Sequence, residues 1–263
     1  MDKKLKIKEL IFQCRNGSPK QRSAAIVDLQ EMRASEALPV FLELLDYPGA
    51  GVRANVACAL GELGNKKIGP SLLKLLEDSS PVVRINAAES LGLLCYTDGI
   101  NSLINKLHSD KDPLVRLSVA EALGRLNDAR VLPALVRALD DEDEGVRAYA
   151  ADSIGSLGIV KAVPILIKKM DVEKSAFTKA FIFSALYRLG YKESLLSLVK
   201  LSETVDDVLA VTILNLAIEL ATPQNATSLK DMLHKVTQLR PSLLIEINSL
   251  IKRLNSIDGN KKP

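Results

Sequence analysis

Four stretches of this chain share one template: AGVRANVACALGELG at 50–64, PVVRINAAESLGLLC at 81–95, PLVRLSVAEALGRLN at 113–127 and EGVRAYAADSIGSLG at 144–158. Their arginines, Arg53, Arg84, Arg116 and Arg147, stand 31, 32 and 31 residues apart. The same ruler reaches Arg22 in PKQRSAAIVDLQEM, Lys179 in FTKAFIFSALYRLG and Ala210 in VLAVTILNLAIELA; seven copies are visible, and the remaining C-terminal length holds an eighth. A unit of this length cannot bury an apolar face by itself. Units must therefore stack, each burying its face against its neighbours.

Between the templates runs a second apolar pattern: ALPVFLELL, IGPSLLKLL, GINSLINKL, VLPALVRAL and AVPILIKKM. Pro39, Pro70, Pro133 and Pro164 fall near its start, where the first N–H groups of a helix have no intrahelical partner and proline is tolerated. Each unit is thus two short helices. The chain is 47% hydrophobic but only 4% aromatic, without tryptophan, which suits closely packed alanine- and leucine-rich helices rather than a β-sandwich.

These residues resemble the HEAT-repeat family in its short, phycobilisome-lyase-type form (PBS lyase HEAT-like), whose units follow D-x-x-x-x-V-R-x-x-A-A-x-A-L-G-x-L-G. The resemblance is close over 18–190 and loose beyond. The ankyrin T-P-L-H and the tryptophan-bearing tetratricopeptide pattern are both absent. The resemblance implies an all-α fold, a right-handed α-α superhelix (α-solenoid) of about eight HEAT-like helical hairpins. It would form a single solenoid over 1–263, with an N-terminal cap repeat at 1–35, regular repeats at 36–190, and divergent C-terminal repeats and a cap at 191–263.

With the arginine at zero on a helical wheel of about 100° per residue, the recurring apolar positions −1, +3, +4, +7 and +10 form one arc that includes the arginine. In the third template these positions are Val115, Val119, Ala120, Leu123 and Leu126 around Arg116. An unpaired guanidinium there would carry a large desolvation penalty, so each needs an acid. Asp78, Asp110 and Asp141 precede Arg84, Arg116 and Arg147 by six residues, and Asp46 precedes Arg53 by seven. We expect a ladder in which these aspartates bind the arginines of their own and adjacent repeats, a structural device rather than a row of phosphate readers. Gly61, Gly92, Gly124 and Gly155, each eight residues after its arginine, lie at the edge of the arc, where a missing side chain lets helices approach.

Positions +2, +5 and +9 fall opposite the core arc and form the expected concave wall. Glu89, Glu121 and Asp152 stand in line there with Arg125 close by. Such a mildly acidic track repels phosphate and suits a basic peptide or surface, although acids are also ordinary solvating residues on a helix face. Five of the ten phenylalanines and tyrosines lie between residues 177 and 191. By the wheel, Phe177 and Phe181 point outward beside Tyr149 and Arg188, the composition of a binding hot spot. The same rings would also fill a gap where the stack bends.

Other chemistry finds little support. Cys14, Cys58 and Cys95 are odd in number and lack C-x-x-C spacing, which favours buried thiols in a reducing compartment over a disulfide framework. His108 and His234, the two histidines, show no metal-ligand spacing, and no GxSxG, P-loop or GxGxxG is present. Net charge is +3, but the segment from Pro223 to Pro263 carries +4 of it, so the main body lacks the basic footprint of a nucleic-acid binder. The terminal GNKKP reads as a solvated end. With no signal peptide and no long apolar span, the chain reads as cytoplasmic.

Fold does not fix function. The leading expectation is a non-enzymatic scaffold or adaptor that binds another protein in its concave groove, without cofactor, metal, nucleic acid or membrane. An immunity-type inhibitor of a basic toxin is one alternative, which the acidic track would serve. The other follows from the resemblance: a bilin lyase or chromophore-chaperone subunit of the phycocyanobilin type. There Arg125 or Arg188 would meet propionates, Asp152 the pyrrole nitrogens, and Tyr149 and Phe181 would form the walls. The aromatic poverty of the first five repeats counts against it. Two further HEAT-type enzymes find no match: the His-Glu pairs of deoxyhypusine hydroxylase and the tryptophan-bearing basic cleft of the alkyl-purine glycosylases are missing.

Overall fold

The computed structural model describes residues 2–258, and among these every regular element is helical. By their contacts they form two compact units, divided between Ala134 and Leu135. The first unit holds α1 (Lys3–Asn16), α2 (Pro19–Glu31), α3 (Leu38–Glu43), α4 (Ala50–Glu62), α5 (Gly69–Leu75), α6 (Pro81–Leu93), α7 (Ile100–Ser109) and α8 (Pro113–Arg125). The division falls within α9 (Leu132–Ala138). The second unit continues with α10 (Glu144–Ser156), α11 (Val163–Val172), α12 (Ala176–Arg188), α13 (Ser194–Leu201), α14 (Asp207–Glu219), α15 (Ala226–Leu239) and α16 (Leu244–Asp258).

Consecutive helices pair into hairpins, and the second helix of each hairpin stacks on the next: α2 on α4, α4 on α6 and α6 on α8 in the first unit, α10 on α12 and α12 on α14 in the second. The prolines act as expected, with Pro39, Pro70 and Pro164 each in the first turn of its helix. Most of the apolar arc of each template is buried; in α6, for example, Val83, Ala87, Ala88 and Leu91 have no exposed surface.

The +8 glycines set how close the stacked helices come. A Cβ on Gly92 would lie 2.9 Å from the Ala122 Cα, and one on Gly155 would lie 2.7 Å from the Ala185 Cα. Helices packed backbone to backbone in this way bury alanine-sized positions without voids.

A further periodic row ends the second helices. Arg33, Gly64, Cys95, Asn127, Gly158 and Gly190 all adopt positive φ, the left-handed conformation that closes a helix C-terminus. This row corrects the expectation that all three cysteines are buried: Cys14 is buried, Cys58 half-buried and Cys95 exposed. Cys95 occupies the helix-ending turn, where the side chain points away from the core.

Beyond α12 the arginine template is replaced rather than lost. Arg240, in the turn before α16, donates through Nη1 to the carbonyls of Ser202 (2.5 Å) and Val205 (2.7 Å) and pairs through Nη2 with Asp207. The last hairpin is thereby tied back to the preceding turn. Glu246, Asn248, Ser249, Lys252 and Arg253 of α16 are exposed, and so are Leu244 and Ile245. The GNKKP stretch lies outside the described residues.

Candidate partner-binding face

The arginines come first because their bonding decides what remains free to meet a ligand. Arg53 grips Asp78 with a two-pronged fork, Nε to Oδ2 at 2.7 Å and Nη2 to Oδ1 at 2.8 Å. Arg84 holds Asp110 in the same way at 2.8 Å on both prongs. Each Nη1 turns to the turn of its own repeat: Arg53 to the carbonyls of Tyr47 (2.7 Å) and Pro48 (3.0 Å), Arg84 to those of Asp78 (2.9 Å) and Ser79 (3.2 Å). The side-chain acid thus comes from the following repeat, while the arginine's own repeat supplies backbone carbonyls. Arg116 is buried and donates to the carbonyls of Asp110 (3.0 Å) and Lys111 (3.4 Å). Asp141 accepts from the Asp143 N–H at 2.9 Å.

In the second unit Arg147 binds the carbonyls of Asp141 and Glu142, and its fork closes on Glu173 at 2.8 and 3.0 Å. Glu173 was missed in the sequence, although it precedes Lys179 by the same six residues that separate Asp78 from Arg84. Its Oε1 also accepts the N–H groups of Lys174 (2.9 Å) and Ser175 (2.8 Å). Asp46 departs from the expectation. It is exposed and bonds Lys74 at 2.9 Å, and the carboxylate on Arg53 is that of Asp78. Asp46 belongs to the repeat of Arg53 itself, whose turn offers that arginine backbone rather than side chain.

The ladder acids are shielded, with side chains 9% exposed at Asp78, 3% at Asp110 and 8% at Glu173. The Arg53 fork holds Asp78 below the usual carboxylate range, overcoming the opposing effect of burial. At Asp110 and Glu173 burial is the largest influence and pushes upward, yet the arginine forks and backbone N–H groups together outweigh it and leave both carboxyls lowered. With most of their N–H groups committed, these arginines have little left for an incoming anion.

On the opposite face of the first unit, Glu89 is exposed on α6, and Glu121 on α8 pairs with Arg125 at 2.7 Å. Desolvation first, and the neighbouring Glu121 charge second, raise the Glu89 carboxyl. Arg125 therefore neutralises part of the acidic track. Ser118 and Ser184, placed on the outward face by the wheel, are buried, so that face is not uniformly open.

In the second unit the sequence-derived cluster comes together. The Tyr149 ring on α10 stacks on Phe181 of α12 with centroids 5.6 Å apart and planes at 26°. Phe177, one turn before Phe181, lies 5.0 Å from it at 58°. All three rings are half-buried, and Phe181 also packs against the core of the C-terminal helices. Beside them Arg188 bonds Asp152 at 2.6 Å and Ser156 at 3.4 Å. The face thus presents a continuous aromatic surface rimmed by a neutralised ion pair. Among the described residues no group of three or more His, Cys, Asp or Glu is placed to hold a metal, and no helix is long and apolar enough to cross a membrane.

Paired helices stacked by a recurring arginine fork define a helical-repeat scaffold. Part of the chain matches known repeat families: the HEAT-repeat pattern matches residues 69–148, and that of the PBS lyase HEAT-like repeat matches 52–78 and 146–171. No curated protein matches the chain. Three of the solved structures that share its fold illustrate the likeness. The complex of CpcE and CpcF of phycocyanin lyase from Nostoc sp. PCC7120 is similar at TM-score 0.55 and 23% identity, covering 90% of this chain and 94% of that one. YIBA of E. coli gives 0.57 and 20%, covering 94% and 92%. Kap121p bound to Nup53p gives 0.61 and 14%, covering 98% of this chain and 34% of that one. At these identities the likeness is one of fold.

Proposed function

We propose that this chain is a non-enzymatic scaffold that binds a partner protein through the face carrying Tyr149, Phe177 and Phe181. The observation that carries this reading is the three-ring stack across α10 and α12, edged by the Asp152–Arg188 pair. Half-buried aromatic rings beside an arginine supply a large contact area at low entropic cost, as binding hot spots do. Charge contributes less than the sequence suggests. Glu121 and Asp152 are already paired, which leaves Glu89 as the unpaired carboxylate of the track and weakens the reading as an inhibitor of a basic toxin.

The test compares affinity capture by wild type and by Tyr149→Ala/Phe181→Ala, after both show equal melting temperatures. Loss of one wild-type-enriched protein in the variant supports the aromatic face. Identical capture by both sinks it.

A lyase reading rests on a different observation, the match of 52–78 and 146–171 to the PBS lyase HEAT-like repeat together with the fold shared with CpcE and CpcF. Arg125 or Arg188, Asp152, Tyr149 and Phe181 would be the tetrapyrrole contacts. Co-expression with a phycocyanobilin pathway and an acceptor subunit tests it. A covalent coloured adduct that depends on this chain supports the reading, and an uncoloured acceptor ends it.

A further inference from the structure

The +8 glycine that lets one repeat close on the next is replaced in the sixth repeat by Tyr187, eight residues after Lys179. Where Gly155 brings α10 against the Ala185 backbone, a tyrosine side chain stands in the way, and α12 packs on α14 less extensively than on α10. The connections change at the same place. A 3₁₀ turn precedes α3, α5, α7, α9 and α11, but none precedes α13 or α15. A cleft beside Tyr187, between α13 and α15, measures ≈ 550 Å³, within the size range of ligand pockets.

Two polar groups of this cleft, the Asn225 amide and the Tyr187 hydroxyl, are fixed in a definite sense. Asn225 Nδ2 donates both to the Tyr187 hydroxyl (2.7 Å) and to the Leu220 carbonyl (3.0 Å), while its Oδ1 accepts the Thr222 N–H (2.7 Å). Both N–H groups of the amide are used, and its orientation is set by these bonds. The Tyr187 oxygen is therefore an acceptor toward Asn225, and its own proton is left to donate elsewhere. Lys192 places its ammonium 4.2 Å from the Tyr187 ring centroid. No acid lines the cleft; the rest of its wall is an apolar strip of Leu195, Leu196 and Met232 and the polar residues Thr222, Gln224 and Ser228.

One cation, one oriented hydroxyl donor, no acid and an apolar strip along one side are the complement of a singly charged amphiphile. We propose that this cleft binds a small carboxylate with an apolar body, its head on the Lys192 ammonium and Tyr187 hydroxyl and its body along Leu195, Leu196 and Met232. A bare phosphate would leave the apolar wall unmet, and a neutral apolar ligand would leave the ammonium without a counter-charge. The site is separate from the aromatic face, so it stands or falls independently of the scaffold reading.

Calorimetric titration of the full chain with 4-phenylbutyrate, and with 4-phenylbutanol as its uncharged counterpart, tests the proposal. We expect saturable one-site binding of the acid, and binding of the alcohol weaker by about tenfold or more, since hydrogen bonds to a charged group would be lost. Lys192→Gln, an exposed change that leaves the fold intact, should weaken the acid by a similar factor without affecting the alcohol. Tyr187→Phe should weaken the acid more than the alcohol, with a melting temperature lowered by the loss of the Asn225 bond. Equal binding of acid and alcohol, an unaltered affinity in Lys192→Gln, or no saturable binding would overturn the proposal. So would a peptide with an apolar C-terminal residue that binds far more tightly than 4-phenylbutyrate and loses that affinity on C-terminal amidation, because the occupant would then be a polypeptide.

Discussion

At Gly92 the presence or absence of one methyl decides how closely two repeats stand. In an ordinary helix interior, glycine to alanine gains up to about 1 kcal/mol from propensity. Here the new Cβ would sit 2.9 Å from the Ala122 Cα and 3.1 Å from its Cβ, and forced overpacking costs about 1–3 kcal/mol. The clash is with backbone, which has no rotamer to escape into, so the second effect wins. Gly92→Ala should lower stability by about 1 kcal/mol in urea unfolding, and a stabilised variant would show that the helices can part freely. The role of these glycines was legible in the sequence because their spacing kept them at one edge of the apolar arc. Cys95 was not, because three different residue types share its left-handed row and the template alone does not reveal backbone sign.

Between elements, the arginine fork is the recurring tie, and its energetics are asymmetric. Removing one partner of a shielded ion pair leaves the other charge buried and costs about 3–5 kcal/mol, whereas replacing both by apolar residues is often close to neutral. Arg84 and Asp110, with side chains 14% and 3% exposed, are the pair in which to see this. Asp110→Ala should destabilise by about 3 kcal/mol, and Arg84→Met with Asp110→Leu should recover much of that loss in chemical denaturation. If the double variant were as unstable as the sum of the single ones, the fork would not act as a coupled pair.

The same acids make stability depend on pH. Asp78, Asp110 and Glu173 are all lowered in the folded chain, so folding holds fewer protons than the unfolded chain near their ordinary values of about 3.9 and 4.3. The ladder's contribution is therefore complete above about pH 5 and is lost as the pH falls through the lowered values. Melting temperature should be flat near neutrality and fall below about pH 4.5, with a shallower fall in Asp78→Asn. A fall equally steep in that variant would place the titration elsewhere. The sequence supplied the arginines and most of their acids, but not which repeat each acid serves. Only the folded turn shows that an arginine's own repeat offers carbonyls, and that Glu173 fills the position aspartate holds in the other repeats.

For the whole molecule, period alone foretold the number of hairpins, since a repeat that cannot bury its own face leaves stacking as the solution. The division between Ala134 and Leu135 was not legible, because VLPALVRAL runs through it with the template unbroken on either side. Stacked repeats also imply a gradient of stability. Interior helices pack on both flanking hairpins, as α4 does on α2 and α6, whereas α1 packs on α2 and α3 and α16 on α14 and α15. α1 accordingly leaves Leu5 58% and Phe12 65% exposed, while Val56, Ala57 and Leu60 of α4 are fully buried. Local opening free energies follow buried apolar contact. Native-state hydrogen exchange should therefore find the amides of α1 and α16 opening first and those of α4, α6 and α12 last. Uniform protection along the chain would instead mean that the terminal hairpins unfold only with the whole, and that nearest-neighbour stacking does not govern its cooperativity.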